Sequence, residues 1–198
     1  MSKGTTRERI LFAALDLFSE KGYDGVGVDL IAETVGIKGP SLYHHFKGKD
    51  DILAQLIAVM SAYYEANFGS AKAEVVCPPS LEAFTKANLE RISFTMHDPQ
   101  IRKVRKLCAK EQFRNPELAA MTSEHELMGI RELYIGILGT MMEAGMIRKG
   151  DPALLALELV APVSMLIHLC DREPHREQEA MTLICQHLDH FVEVYGIQ

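Results

Sequence analysis

The chain has 198 residues, of which 47% are apolar and 24% charged, so it can bury the cores of one small and one larger domain. Its formal net charge of −6 would argue against nucleic-acid binding if the charge were evenly spread. Residues 1–50, however, hold seven Lys or Arg and seven Asp or Glu, whereas the remainder holds fourteen and twenty. The acidic excess lies outside the first fifty residues, and nucleic-acid binding there is not excluded.

The four cysteines, at positions 77, 108, 170 and 185, are widely spaced and form no CxxC pair. This spacing predicts reduced thiols in a cytoplasmic protein, with redox sensing by Cys77 or Cys108 as the alternative. The sequence contains no GxGxxG, Walker A, HExxH or GxSxG string, so we expect no enzyme, no catalytic residue and no cofactor. His187 and His190 could share a metal, but an exposed helix face explains this pair better, and we predict no metal site.

The first residues do not show the pattern of a signal peptide, so we expect none. The most apolar stretch, residues 153–170, is interrupted by Glu158, Pro162 and His168 and is short for a membrane span. It predicts a buried helix, so we expect a cytoplasmic protein with no membrane partner.

The first predicted helix runs from Thr5 to Lys21. Its apolar residues follow the helical period, at positions 10, 13, 14, 17 and 18. Thr5 or Thr6 is a plausible N-cap, and Gly22 ends the run beside Lys21.

Residues 27–47 predict two short helices joined by a tight turn. Ile31, Ala32 and Val35 fall on one helical face, and the small Ala32 lets a second helix cross closely. Gly36 stands where the chain reverses, since glycine adopts the left-handed conformation at little cost. Pro40 suits the first turn of the next helix.

The second helix of this unit would point Leu42 and Phe46 inward and polar side chains outward. Hydroxyls, rings and cations are the groups that contact phosphates and base edges in the major groove. Lys38, Lys47 and Lys49 lie at the ends of this helix, with no acidic residue between positions 34 and 49. The predicted DNA contacts are Thr5, Lys38, Gly39, Pro40, Ser41, Tyr43, His44, His45, Lys47 and Lys49.

Residues 7–53 resemble the amino-terminal domain of the TetR family of bacterial transcriptional regulators. The resemblance rests on ILFAALDLFSEKGY at 10–23, IAE at 31–33, VGI at 35–37, SLYHHF at 41–46, and KGK at 47–49 followed by Ile52 and Leu53. It covers about a quarter of the chain without a break in spacing. Many members carry Lys or Gln at the position of Gly39, so direct readout here would shift to Ser41, Tyr43 and His44.

The resemblance implies an all-α fold of about nine helices, with a three-helix homeodomain-like head at 1–48 and a ligand-binding and dimerisation domain at 49–198. It implies a repressor that a small, mainly apolar ligand releases from a palindromic operator. The alternative is a DNA-binding adaptor whose body binds a protein partner and no small molecule.

The remainder of the sequence predicts further helices in chain order. One begins near Lys49 and ends at residues 68–70, and another follows Ser80. After the break at Asp98-Pro99 come a basic helix over 101–114, a long helix over 116–145, an apolar helix over 151–170 and a last helix over 177–195.

The family resemblance implies a ligand pocket among these helices, and bulky, adaptable side chains are the candidates for its lining. Plain core packing is the alternative for each of them, including His168, which is a core histidine or a group that orients the ligand. The candidates are Tyr63, Tyr64, Phe68, Phe84, Phe94, Cys108, Phe113, Tyr134, Met141, Met165 and His168.

The apolar helix over 151–170 is apolar on nearly every side and therefore needs cover on all sides. We expect a second copy to supply part of that cover, in a four-helix bundle built from the last two helices of each copy. Completion of the monomer core is the alternative. The predicted interface residues are Leu155, Leu159, Val163, Leu166, Ile184, Leu188, Phe191 and Tyr195.

Overall fold

The computed structural model of the chain describes residues 4–68 and 75–197, apart from the side chain of Phe68. These residues form ten α-helices and no strand, which confirms the predicted all-α fold. The helices are α1 (Thr6–Lys21), α2 (Val28–Val35), α3 (Gly39–Leu42), α4 (Lys49–Phe68), α5 (Leu81–His97), α6 (Pro99–Glu111), α7 (Pro116–Ser123), α8 (Gly129–Glu143), α9 (Pro152–Arg172) and α10 (Glu177–Tyr195).

The long helix expected over 116–145 is interrupted by a π-helical turn, Glu124–Met128, between α7 and α8. A π turn bonds each amide one residue further back than an α-helix does. Ser164 of α9 donates its hydroxyl to the carbonyl of Glu126 within this turn, at 2.8 Å. The interruption explains why ten α-helical segments stand where about nine helices were expected.

The chain divides into two compact units. The first unit contains residues 4–67 and 99–122, and the second contains residues 75–98 and 123–197. Helices α4, α6 and α7 therefore pack in the same unit as the predicted head. The predicted boundary at residue 48, between a DNA-binding domain and a ligand-binding and dimerisation domain, stays a prediction.

The core of the first unit is built around α1. Thr5 caps this helix in a capping box, because its hydroxyl accepts the amide of Glu8 while the Glu8 carboxylate accepts the amide of Thr5. Leu15 and Phe18 are fully buried. Burial of each side chain of this size stabilises the fold by about 1.5–3 kcal/mol. Helix α6 packs along α1, and Glu111 accepts the amide of Tyr23 at 2.9 Å.

The second unit has an aromatic core between α5, α8 and α10. The ring of Phe84 contacts Tyr134 edge-on, with centroids 6.4 Å apart, and lies 6.5 Å from the ring of Phe191. The Tyr134 hydroxyl donates to the side chain of Asn88, which in turn donates to the carbonyl of Phe84. This buried polar chain is satisfied internally, as stable cores require. By length and composition α9 could cross a bilayer, a test that buried helices of other proteins also pass.

Candidate nucleic-acid interface

Helices α2 and α3 form the predicted helix-turn-helix. Ile31, Ala32 and Leu42 are buried, so the two helices pack on the first unit through the faces expected from the sequence. Gly36 has φ 77° and ψ 34°, the left-handed conformation that closes α2. The amide of Ile37 then donates to the carbonyl of Ala32 at 2.9 Å, which fixes the reversal of the chain.

The α-helical part of the second helix is short, since α3 spans Gly39–Leu42. Two backbone hydrogen bonds continue the helical turn beyond α3. The amides of His45 and Phe46 both donate to the carbonyl of Leu42, and the bond from His45 has the 3₁₀ spacing of three residues. Phe46 is buried, whereas Tyr43 is 58% exposed and His44 and His45 are exposed. The inward and outward sets therefore separate as the sequence predicts.

We use the term recognition surface for the outward part of this segment. Lys38, Pro40, Tyr43, His44, His45 and Lys47 are exposed there, and Gly39 and Ser41 are half-buried. The structure thus brings eight of the predicted DNA contacts together within ten consecutive residues of one turn-rich segment. Thr5 is exposed at the start of α1, where its side chain already serves as the cap.

Gly39 lies close to a carboxylate of the preceding helix. A Cβ atom placed on Gly39 would stand 3.1 Å from Oδ1 of Asp29, so any larger residue requires Asp29 to shift. Asp29 is itself exposed and lies in the first turn of α2, where a negative charge is favourable. The packing around position 39 therefore favours glycine, which has no side chain.

Lys49 makes internal contacts that the sequence did not indicate. Its Nζ donates to the carbonyl of Tyr23 at 3.0 Å and lies 4.1 Å from the centre of the Tyr23 ring. The Tyr23 hydroxyl donates to Asp50; burial, and then this bond, raise the pKa of Tyr23 above its ordinary value. Lys49 is half-buried in this contact, unlike Lys38 and Lys47.

Asp51 fixes the end of the recognition surface to α4. Its carboxylate accepts the amide of Lys47 at 2.7 Å and the side-chain amide of Gln55 at 2.7 Å. The bond from Lys47 is the main cause that lowers the pKa of Asp51, followed by the bond from Gln55. Sequence reasoning missed this role, although an acid in the first turn of a predicted helix is a known capping signal.

Two arginines ahead of the recognition surface also make contacts that sequence reasoning missed. Arg9 donates to the carbonyl of Val35 at the end of α2. Arg7 donates to Gln55 of α4, and its guanidinium lies 5.8 Å from the centre of the Phe46 ring. Both side chains therefore hold α1 against the helices that present the recognition surface.

The predicted pocket residues are divided between the two units. In the first unit Tyr63 and Tyr64 are half-buried, Cys108 is buried and Phe113 is 91% exposed. The side chain of Phe68 lies outside the described residues. The role of these residues as pocket lining stays a prediction.

In the second unit the predicted pocket residues differ widely in exposure. Phe84, Tyr134 and Met141 are buried in the core, whereas Met165 is 73% exposed. Phe94 lines an open groove of about 610 Å³ between α5 and α10.

His168 of the same predicted set lies between two carboxylates. Its Nε2 is 3.0 Å from Glu126 and its Nδ1 is 4.0 Å from Asp171. The ring therefore has polar partners of its own within the second unit, as a core histidine does.

Most of the predicted interface residues take part in the core of the second unit. Leu155, Leu159, Ile184, Leu188 and Phe191 are buried there, while Val163, Leu166 and Tyr195 are half-buried. The large apolar side chains that α9 and α10 leave exposed are Leu154, Leu157, Met165 and Leu183. Helical spacing alone does not separate these two sets, because both recur at intervals of three and four residues.

The described residues contain no group of three or more His, Cys, Asp or Glu side chains that could hold a metal ion. The sequence offered His187 and His190 as a possible metal pair. The Nε2 atom of His187 lies 3.1 Å from the carbonyl oxygen of Leu159.

Comparison with known proteins places the recognition surface in a known class of domain. Residues 10–56 match the family model described as bacterial regulatory proteins, tetR family. The biofilm operon icaADBC negative transcriptional regulator IcaR of Staphylococcus aureus strain Newman is 49% identical over 51 residues, which are 26% of this chain and 27% of IcaR. IcaR of Staphylococcus epidermidis is 40% identical over 58 residues, 29% and 31% of the two chains. The match thus spans less than a third of either relative.

Solved structures match over the whole length. SmeT, the repressor of the Stenotrophomonas maltophilia multidrug efflux pump SmeDEF, has a TM-score of 0.72 at 20% identity, covering 99% of this chain and 92% of SmeT. A SmeT–triclosan complex has a TM-score of 0.75 at 22% identity, covering 98% and 92%. FadR of Bacillus subtilis in complex with stearoyl-CoA has a TM-score of 0.65 at 23% identity, covering 96% and 99%.

These likenesses define the fold as a helix-turn-helix head followed by a helical body. The amino-terminal match makes residues 10–56 similar to the bacterial regulatory proteins of the tetR family.

Proposed function

We propose that the chain is a transcriptional regulator that binds duplex DNA through the recognition surface. The observation that carries the proposal is the separation of Leu42 and Phe46, which are buried, from Tyr43 and His44, which are exposed. A face of this kind offers a ring and two imidazoles to base edges, with Lys38 and Lys47 beside them for phosphates. No catalytic residue is assigned.

The proposed action is repression. IcaR is named as a negative regulator and SmeT as a repressor, which supports the same direction for this chain. A head that occupies the major groove of an operator excludes other proteins from it.

The proposed regulator acts as a homodimer on a palindromic operator. The exposed Leu154, Leu157, Met165 and Leu183 supply an apolar surface on α9 and α10 that a two-fold partner would cover. Two heads in a two-fold pair would bind half-sites about 34 Å apart, one turn of the duplex.

A small, mainly apolar molecule is the proposed effector. Triclosan in the SmeT complex and stearoyl-CoA in the FadR complex support this ligand class. The effector can shift the spacing of the heads only by the difference in its affinity for the two arrangements, and such coupling is typically 1–3 kcal/mol, or about 5- to 150-fold.

The test is a footprint of the purified protein on the DNA upstream of its own gene, with mass spectrometry of molecules that copurify. Protection of a palindrome that is lost on adding the copurified molecule is the expected result. Absence of sequence-selective protection would contradict the proposal. Selective protection with no small-molecule effect would favour a DNA-binding adaptor regulated by a protein partner.

A further inference from the structure

An acidic groove runs along the surface of the second unit between α5 and α10. The two helices are antiparallel, because Nε2 of His97 lies 2.9 Å from Glu177 at one end, while Gly196 lies close to Leu81 at the other. The seam between them opens into two hollows, of about 610 and 450 Å³. Apolar side chains, including Leu89, Met181 and Val192, line the hollows.

The charged residues along this groove are mostly carboxylates without partners. Glu82, Glu90, Asp189 and Glu193 line the hollows and are exposed, and no hydrogen bond or ion pair among the described residues involves their side chains. Among the described residues, no Lys or Arg lines either hollow. Lys86 lies between Glu82 and Glu90, four residues from each, on the same side of α5. The groove thus combines an apolar floor with a surplus of negative charge.

Helix α6 of the first unit carries the opposite combination. Arg102 and Lys106 lie four residues apart on one face of α6, and Phe113 follows in the turn after the helix. Both cations are exposed, and neither has a hydrogen bond or ion pair within residues 4–68 and 75–197. Phe113, just beyond the end of α6, is 91% exposed. We call these three residues the cationic stripe.

Two further cations of α6 are occupied within the first unit. Lys103 pairs with Asp16 of α1, and Lys110 donates to the carbonyl of Glu20. These bonds hold α6 against α1, and Arg102 and Lys106 remain exposed beside them. A large exposed aromatic side chain flanked by unpaired cations is a feature of binding surfaces.

We infer that the cationic stripe of one copy of this chain docks into the acidic groove of a second copy. Arg102 and Lys106 meet the unpaired carboxylates, and Phe113 enters the apolar floor. Arg102 and Lys106 are about 6 Å apart along α6, and the 17 residues of α5 span about 25 Å, so both cations fall within the length of the groove. The contact joins two different surfaces, so it adds copies to the two-fold pair proposed above and does not replace that pair.

Sedimentation velocity of the full chain without DNA tests the inference. At about 100 µM protein and about 50 mM salt we expect assemblies larger than a pair, and at about 500 mM salt we expect them to dissociate, because exposed charges are screened. A wild-type protein that never exceeds a pair at low salt would overturn the inference.

Reversed charges provide the decisive comparison. Arg102→Glu with Lys106→Glu, and separately Glu90→Lys with Glu193→Lys, should each weaken the larger assembly at least tenfold while the pair remains. An equimolar mixture of the two variants should restore it, since each reversed surface then meets its complement. Arg148→Glu with Lys149→Glu is the matched control, because both residues are exposed and belong to neither surface.

Two other outcomes would also reject the inference. One is failure of the mixture to restore assembly when circular dichroism shows both variants folded. The other is that Arg102→Glu with Lys106→Glu leaves the mass of the assembly unchanged but flattens the salt dependence of DNA binding. That result would mean that the cationic stripe contacts the phosphates of duplex DNA. Should the reversals disturb folding, Arg102→Gln with Lys106→Gln removes the charges more conservatively and should weaken assembly in the same direction.

Discussion

At the scale of single residues, adjacent positions in the recognition surface have opposite environments. Leu42 is fully buried and Tyr43 is 58% exposed, although both have large side chains. The helical geometry after Pro40 turns one inward and the other outward. Binding and stability can therefore be separated by substitution.

Replacing Tyr43 by Ala should abolish selective DNA binding without unfolding the chain. Loss of a base or phosphate contact of this size costs about 1–3 kcal/mol, or about 5- to 150-fold in affinity. A gel-shift titration measures the affinity, and thermal unfolding checks the fold. Phe46→Ala is the comparison, because its buried ring should cost about 3–5 kcal/mol of stability. Unchanged affinity of the Tyr43 variant would reject the proposed recognition surface.

Substitutions at Lys49 and Lys47 also allow effects on stability and on DNA binding to be distinguished. Lys49→Ala removes a charged hydrogen bond to the carbonyl of Tyr23 and the contact with its ring, so we expect a loss of about 1–2 kcal/mol in the free energy of unfolding. Lys47→Ala should leave stability unchanged and flatten the salt dependence of DNA binding by about one phosphate contact.

Urea unfolding and gel shifts at several salt concentrations measure the two effects. If Lys49→Ala instead leaves stability intact and weakens binding to all sequences alike, Lys49 is a phosphate contact, as the sequence suggested.

At the scale of elements, α4 supports the recognition surface through Asp51. The carboxylate receives the amide of Lys47, so the segment after Phe46 is tied to the first turn of α4. Since these bonds lower the pKa of Asp51, the charged form is favoured in the folded state. The resulting stabilisation is complete above the ordinary pKa of 3.8 and is lost as the pH falls through the lowered value.

Asp51→Asn should therefore reduce the dependence of stability on pH in this acidic range. Asparagine keeps an oxygen that accepts hydrogen bonds but carries no charge, so the difference from wild type should be present near neutral pH and shrink on acidification. Urea midpoints at a series of pH values measure this difference. A constant gap between the two proteins down to pH values well below 3.8 would contradict the assigned role.

Local signals predicted many element boundaries. Gly22, Gly36 and the cap at Ser80 end or begin helices in the structure as expected, because backbone conformation and capping depend on a few adjacent residues. The π turn at Glu124–Met128 had no such signal. It coincides with a hydroxyl donated by Ser164, which is distant in the sequence.

At the scale of the whole molecule, the predicted interface residues and the exposed apolar residues lie on the same two helices. Leu188 is buried in the core of the second unit, whereas Met165 is 73% exposed. Monomer packing thus accounts for several apolar positions that a second copy had been expected to cover.

Substitution of these two residues should give opposite phenotypes. Met165→Glu places a charge on the proposed two-fold interface, so it should lower the dimer fraction with little change in monomer stability. Leu188→Ala leaves a cavity and should cost about 2–5 kcal/mol of stability. Sedimentation velocity and urea unfolding measure the two quantities. A fully dimeric Met165→Glu protein would remove this surface from the proposed interface.

The exposure of Tyr43, His44 and His45 beside the buried Leu42 and Phe46 was predictable, because it follows from local helical geometry, whereas their contact with DNA stays a prediction. The exposure of the pocket candidates was not predictable, because Phe84, Phe113 and Met165 share an apolar character yet range from buried to almost fully exposed. Composition identifies a side chain that can line a pocket, but only the packing of distant helices determines whether a pocket exists around it.

The sequence by itself determined the all-α fold and the helix-turn-helix, since helical period, turn glycines and caps are local properties. Tertiary structure decided the rest. It directed Lys49 to the carbonyl of Tyr23, buried Leu188 and left Phe113, Asp189 and Glu193 exposed. These outcomes depend on contacts between residues far apart in the chain, which no local pattern encodes.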